Sequence, residues 1–279
     1  MKHIVENFES IEHLLWSNKT RRPNKVFANK NLASEKTDED RFEFTQTHSY
    51  EEAEDLIKNG YSEPLSEIKR GVETNATVFS KQKTAIKNDI VGFAPCVPNA
   101  IIGLPKSMVN VESVIKKSKT ISLVYDTTAG CLTEADKFIK AGVAVLSLSD
   151  ALEKSGYRVS LKCAVYNAEK EEERVFATVN LKDWRQPLDL KKMAFPFCHP
   201  SMLRRIGFKW LETQPKLTDT RFLGGYGESV ANKYDYKKVL EILKKNKEIK
   251  ENEIYINIRI CKDNNFDVKN IATVCGLIV

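Results

Sequence analysis

Residues 120–130 read Thr-Ile-Ser-Leu-Val-Tyr-Asp-Thr-Thr-Ala-Gly. The first six are apolar and β-rich without alternation, the pattern of a short strand buried on both faces. Residues 133–155 follow with a broad apolar face at helical spacing, made by Ala135, Phe138, Ile139, Gly142, Val145, Leu146, Leu148 and Leu152. Gly156 is placed to end that helix, and residues 157–166 return as a second strand. Strand, helix and strand in this order predict a β-α-β unit with a parallel crossover. Residues 174–181 read as a third strand, antiparallel and at the sheet edge. Helices are expected over 188–197, 200–211 and 235–246, a strand over 253–260, and a last small apolar element over 270–279. The expected fold is therefore a three-layer, Rossmann-like α/β domain over residues 120–279.

Upstream of this domain the pattern loosens. Residues 1–48 read as an irregular N-terminal arm, with Phe8, Ile11, Leu14, Leu15 and Trp16 forming one short amphipathic helix. Residues 49–119 read as a helical, proline-rich extension packed on the core. Within it, Ser49 with Glu52 makes a capping box, and Asn59-Gly60 makes a stop. A second helix starts at Pro64 or Leu65. Gly92, Pro95, Pro98, Gly103 and Pro105 then mark a long apolar loop, expected to wrap a core edge or line an interface.

Composition narrows the class but names no activity. The chain has 279 residues, 42% hydrophobic and 29% charged, which is enough apolar content for a sizeable core. No stretch reaches the length of a spanning helix, and residues 1–18 lack a signal-peptide apolar core, so the expectation is a cytoplasmic protein without a membrane partner. Six cysteines without a CxxC pair read as reduced thiols. The net charge of +6 fits an ordinary soluble surface, with nucleic acid as the alternative partner.

The strand tip is the most informative chemistry. An aspartate ending a strand, with hydroxyl residues in the following turn, suits a hard cation held by oxygen ligands. Asp126-Thr127-Thr128-Ala129-Gly130 resembles the first strand end of the von Willebrand factor A fold, Asp-x-Ser-x-Ser, which holds Mg²⁺. The likeness extends through the helix ending at Ala151-Leu152-Glu153-Lys154-Ser155-Gly156 and into the next strand. It implies Asp126 and Thr128 as first and second metal ligands, with Gly130 at the third position, where a hydroxyl is missing. The implied site is degenerate, with no cofactor or at most Mg²⁺. The order of segments also resembles an uncharacterised family of phage and mobile-element proteins. The segments are Ser49-Tyr50-Glu51-Glu52-Ala53 with Asn59-Gly60-Tyr61, Gly92-Phe93-Ala94-Pro95-Cys96-Val97-Pro98-Asn99, residues 126–156, and His199-Pro200-Ser201-Met202-Leu203-Arg204-Arg205.

Elsewhere the bland interpretation outweighs the sharp one. In 199–205, Met202, Leu203 and Ile206 are expected to pack inward while Arg204 and Arg205 face solvent or pair with acids. Cys198 and His199 are adjacent and diverge, so they make no catalytic pair. Gly224-Gly225-Tyr226-Gly227 lacks the ending of a P-loop and reads as a turn anchored by Tyr226. The expected function is a non-enzymatic protein-interaction module. Its partner would meet Asp126, Thr127 and Thr128 at the strand-tip face, or the aromatic loops at Phe93, Trp184 and Tyr226. The alternative is a nucleic-acid-binding accessory protein using Arg21, Arg22, Lys25, Lys237, Lys238, Lys244 and Lys245. A divalent-metal hydrolase or phosphotransferase is third, and needs further carboxylates converging on Asp126.

Overall fold

The computed structural model describes residues 2–24, 27, 32–36, 42–75, 84–113, 119–170, 173–214, 226 and 228–277. Nine strands lie among them: β1 (Lys2–Phe8), β2 (Thr84–Asp89), β3 (Ala94–Pro95), β4 (Met108–Ser113), β5 (Thr120–Asp126), β6 (Arg158–Lys170), β7 (Glu173–Lys182), β8 (Glu228–Ser229) and β9 (Glu253–Asn257). The main sheet runs β1-β7-β6-β5-β9, and β8 pairs with β6. The other three strands form a separate sheet in the order β2-β4-β3.

The β-α-β unit is present: β5 and β6 are parallel, joined by the helix Ala135–Lys154. β9 is parallel to β5 on its other side, and β7 folds back antiparallel on β6. Helices cover both faces, so the layout is mixed α/β and Rossmann-like. Leu123, Tyr125, Leu161, Cys163 and Ala177 point to one face; Val124, Ala164, Tyr166, Phe176 and Tyr255 point to the other. That double burial is why β5 reads as an uninterrupted apolar run.

The first face carries most of the helices. The helix Ala135–Lys154 buries Phe138, Val145, Leu146, Leu148 and Leu152 there, each contributing roughly 1.5–3 kcal/mol. The helix Leu190–Cys198 crosses it so closely that a Cβ on Gly142 would lie 2.3 Å from the Phe197 carbonyl oxygen. Gly156, at φ +87°, ends the long helix in the left-handed region that favours glycine. The second face is covered by the helices Val230–Lys233 and Tyr236–Lys245, the latter burying Val239, Ile242 and Leu243.

Several local expectations change. The opening residues are not irregular: β1 pairs in parallel with β7 and puts Ile4 and Phe8 into the first-face core. β7 is therefore an interior strand, and β1 takes the edge. Phe8 ends the strand and does not join the helix that follows, which spans Ile11–Thr20 and leaves Trp16 exposed. The strand expected over 253–260 stops at Asn257, whose side chain accepts the Ile260 N–H at 2.8 Å and starts the helix Ile258–Asp263. The helix Tyr50–Asn59 is capped as its sequence demands. Ser49 accepts the Glu52 N–H at 3.1 Å, and Glu52 reaches back to the His48 N–H at 2.5 Å. No helix among the described residues is long and apolar enough to cross a membrane.

Candidate functional site

Three regions compete for function: the strand tip, the opposite end of the sheet, and the small sheet. The strand tip is closed. Asp126 is fully buried, and Thr127 and Thr128 nearly so. The Asp126 Oδ1 accepts the Thr128 N–H at 2.9 Å, and its Oδ2 accepts the Tyr255 hydroxyl at 2.5 Å. Thr127 Oγ1 donates to the Ala164 carbonyl at 3.1 Å, and Thr128 Oγ1 accepts the Tyr166 N–H at 2.7 Å. β8 pairs with Asn167 and Ala168, past the end of β5, and the Ser229 hydroxyl donates to the Thr128 carbonyl at 3.2 Å. Burial pushes the Asp126 carboxyl up to about 6, against the opposing pull of these hydrogen bonds.

A cation does not fit this arrangement. Both oxygens of Asp126 are engaged, and the Thr128 hydroxyl already serves the sheet. A side chain on Gly130 would press on Asn232, 3.0 Å from its Nδ2. Among the described residues, no three or more His, Cys, Asp or Glu converge as a metal site. The tip is also shut off from the surface: Asp126 is 0% exposed and Thr127 and Thr128 are nearly so, with their polar groups bonded inside the fold.

The opposite end of the sheet holds a groove of about 1420 Å³, lined among others by Trp16, Trp184, Lys162, Lys182 and Lys192. Its central cations are already spent on acids. Lys162 lies 2.6 Å from Glu253, and Lys182 lies 2.6 Å from Glu153 while also donating to the Val159 carbonyl. Trp184 is half exposed, with the Arg185 guanidinium 4.6 Å from its ring centroid.

The small sheet is built the other way round. β2, β3 and β4, with the short helix Val97–Ile101 between β3 and β4, make a finger. No residue from 86 to 110 is buried. Ile101 is 79% exposed, Val91 75%, Ile86 73% and Phe93 70%, and Ile90, Val97 and Ile102 are also well over half exposed. The long apolar loop expected to wrap the core instead holds its apolar side chains away from it. Phe93 is among the exposed side chains.

Tyr226 is not. Its ring stacks on Phe208 with centroids 4.5 Å apart, its hydroxyl donates to Glu212 at 2.6 Å, and it accepts the Ala33 N–H at 2.9 Å. Gly224, Gly225 and Gly227 of its loop lie outside the described residues.

The basic residues divide between two sides of the sheet. Arg21 is held by a two-pronged ion pair to Glu6, whose face of β1 belongs to the first core. Arg22 is exposed beside it, and Lys25 lies outside the described residues. Lys237, Lys238 and Lys245 are exposed on the helix over the second face, with Lys244 3.4 Å from Glu251. They form no single track.

Arg204 and Arg205 are buried, against the expectation of solvent or acid partners. They sit in a π-helical turn, Met202–Gly207, a geometry that recurs where helices carry special side-chain placements. Arg204 donates to the carbonyls of Phe44 and Thr133, and its guanidinium lies 3.8 Å from the Phe44 ring centroid. Arg205 donates to the carbonyls of Ser34 at 3.0 Å, Lys36 at 2.6 Å and Thr47 at 2.8 Å. Together they clamp the segment before the helix Tyr50–Asn59 onto the core. His199, stacked on Phe195, is pulled down to about 4 by burial and accepts the Ser201 N–H at 3.2 Å.

One cluster escaped the sequence altogether. Glu248 has a fully buried side chain against His3, and burial pushes it up to about 7. His3 is pulled down by burial and by Arg174, its neighbour in the β1–β7 register. Recognising β1 from its alternation would have placed His3 and Arg174 on one face. Cys163, the thiol within the described main-sheet strands, is buried on the other face and pushed up to about 12.

A family model described as a domain of unknown function, DUF7192, matches residues 1–278, so the chain belongs to that family. No curated protein and no solved structure matches it.

Proposed function

We propose that the chain is a non-enzymatic protein-interaction module that docks through the finger spanning β2 to β4. The observation that carries this reading is the finger's run of exposed Ile, Val and Phe side chains, with no buried residue from 86 to 110. Scattered single apolar residues on a surface are ordinary, whereas a contiguous cluster marks a docking site. A three-stranded sheet also needs an apolar face covered to be stable, and nothing within the described finger covers it.

In this reading the platform is a von Willebrand A-like domain with a closed, metal-free tip, and its setting is a phage or mobile element. Support for the platform is the parallel unit β5–helix–β6 ending in Asp126 with hydroxyl residues behind it. Support for the setting is the order of sequence segments alone. The interaction face moves from the strand tip to the finger, because the tip's polar groups are satisfied internally.

Affinity capture from expressing cells, with nuclease added, tests the reading. Wild type is compared with Phe93→Ser plus Ile101→Ser and with Asp126→Asn. Capture of a defined protein that is lost in the finger variant and kept in Asp126→Asn is the expected result. Loss with Asp126→Asn alone would return the function to the strand tip. Recovery of nucleic acid alone would move it to the basic residues.

A further inference from the structure

We infer that the finger's partner is a second copy of this chain, joined edge to edge through β2 about a two-fold axis at Asn88; this rests on the docking function proposed above. β2 is an edge strand: β4 lies on one side, and no described strand lies on the other. Such an edge presents a row of unpaired backbone groups, ready for another strand.

The direction of those groups can be read from β4. The Val109 carbonyl accepts the Phe93 N–H at 2.9 Å, so the backbone groups of Val109 face β3. Asn88 stands opposite Val109 in the antiparallel register. In such a ladder, paired residues either both exchange hydrogen bonds or both turn away. The N–H and C=O of Asn88 therefore point to the open edge, and those of Ile86 follow by the two-residue alternation; the strand ends at Asp89, whose Oδ1 accepts the Ile90 N–H at 2.8 Å.

The sequence at this edge is symmetric in character: Ile86-Lys87-Asn88-Asp89-Ile90. A two-fold closed interface needs a self-complementary surface. With the axis at Asn88, the two copies exchange hydrogen bonds at Asn88, Lys87 meets Asp89 of the second copy, and Ile86 comes beside the bend that follows β2 of the second copy. Lys87 and Asp89 already lie 3.5 Å apart within one chain, so the four charges form a square of alternating sign. They would occupy a non-hydrogen-bonded pair, where strands bring side chains closest. Moving the axis one residue either way sets Lys87 against Lys87 or Asp89 against Asp89, which repel. The register is thus selected by charge. The product is one continuous sheet, β3-β4-β2 followed by its mirror order, with Ile86 of both copies on a shared face.

Sedimentation of the full chain over a concentration series tests this. Wild type is expected to dimerise. Lys87→Asp and Asp89→Lys each place like charges opposite one another twice, raising the dimer dissociation constant about tenfold. The double exchange, Lys87→Asp with Asp89→Lys, restores alternation and should return the constant close to wild type. Asn88→Pro removes an outward N–H and leaves the finger's own ladder intact, so it should abolish the dimer without unfolding the chain. A wild type that stays monomeric overturns the inference, as does a dimer indifferent to the single reversals and to Asn88→Pro. A monomeric wild type whose protein capture still depends on Phe93 and Ile101 would remove the second copy and keep the docking function.

Discussion

The strand tip and the finger are opposite cases. Residues 126–128 carry a carboxylate and two hydroxyls, the groups one looks for in a site, and all of them are consumed inside the fold. Eight of the nineteen residues 86–104 are Ile, Val, Leu or Phe, the groups one looks for in a core, and all eight stand in solvent. Residue type is therefore a poor guide to role here; what decides is whether a residue's own fold supplies its partners. A buried polar group whose hydrogen bonds are met becomes structure, because opening it exposes several unmet groups at once. An apolar group left uncovered keeps its driving force for whatever comes next.

That contrast can be broken most forcefully at the arginine clamp. Arg205→Ala strips donors from the carbonyls of Ser34, Lys36 and Thr47 and leaves a cavity, an expected loss of roughly 3–5 kcal/mol in chemical denaturation. Lysine should not rescue it, since one ammonium cannot span the carbonyls that a planar fork reaches. If Arg205→Ala proves mild, the closed half of the molecule is looser than its bonding implies.

Asp126→Asn probes the tip through pH. The native carboxyl titrates near 6, above its ordinary value, so the folded state holds this proton more tightly than the unfolded chain does. Stability from this group is greatest below pH ~4 and falls as pH rises through the window up to ~6, levelling off beyond it. The variant lacks the titration, so its stability relative to wild type should rise by up to about 3 kcal/mol between pH ~4 and ~7. Urea midpoints at the two ends of that range measure it, and a difference independent of pH would mean that Asp126 is solvated after all.

A smaller effect is expected at Tyr226→Phe. Removing the hydroxyl leaves Glu212 without one of its donors and Ala33 without its acceptor, at a cost of about 2 kcal/mol. The stacked ring on Phe208 is retained, so thermal unfolding should shift while protein capture stays intact. Loss of capture at unchanged stability would make Tyr226 a contact residue again.

The same contrast explains what the sequence could reveal. β5, the helix Ala135–Lys154 and β6 are legible because all their burial is local in pattern: a doubly buried strand is a solid apolar run, and a helix face repeats at its own period. β1 is not legible, because its inward Ile4 and Phe8 alternate with His3, Val5 and Asn7, and its partner β7 lies more than half the chain away. Arg204 and Arg205 look solvated because the carbonyls that receive them, from residues 34–47 and from Thr133, lie far away in sequence and have no pattern that announces them. The finger reads as apolar and proline-rich in sequence, with Phe93 its candidate contact, but exposure is not written in that pattern. Apolar composition predicts burial somewhere, in this chain or against another.

The least costly change should also be the most informative. Phe93→Ser removes a ring that is 70% exposed and touches no core, so its effect on the unfolding midpoint should stay within about 0.5 kcal/mol. The same holds for Ile101→Ser, which is 79% exposed. A residue whose loss leaves the fold untouched and removes a partner has no other role than contact, whereas at the strand tip any loss of binding would arrive mixed with loss of fold. Should Phe93→Ser instead destabilise the isolated chain by more than about 1 kcal/mol, the ring must be covered in solution. The finger would then pack on its own domain or on a second copy, and sedimentation of the same variant would separate the two.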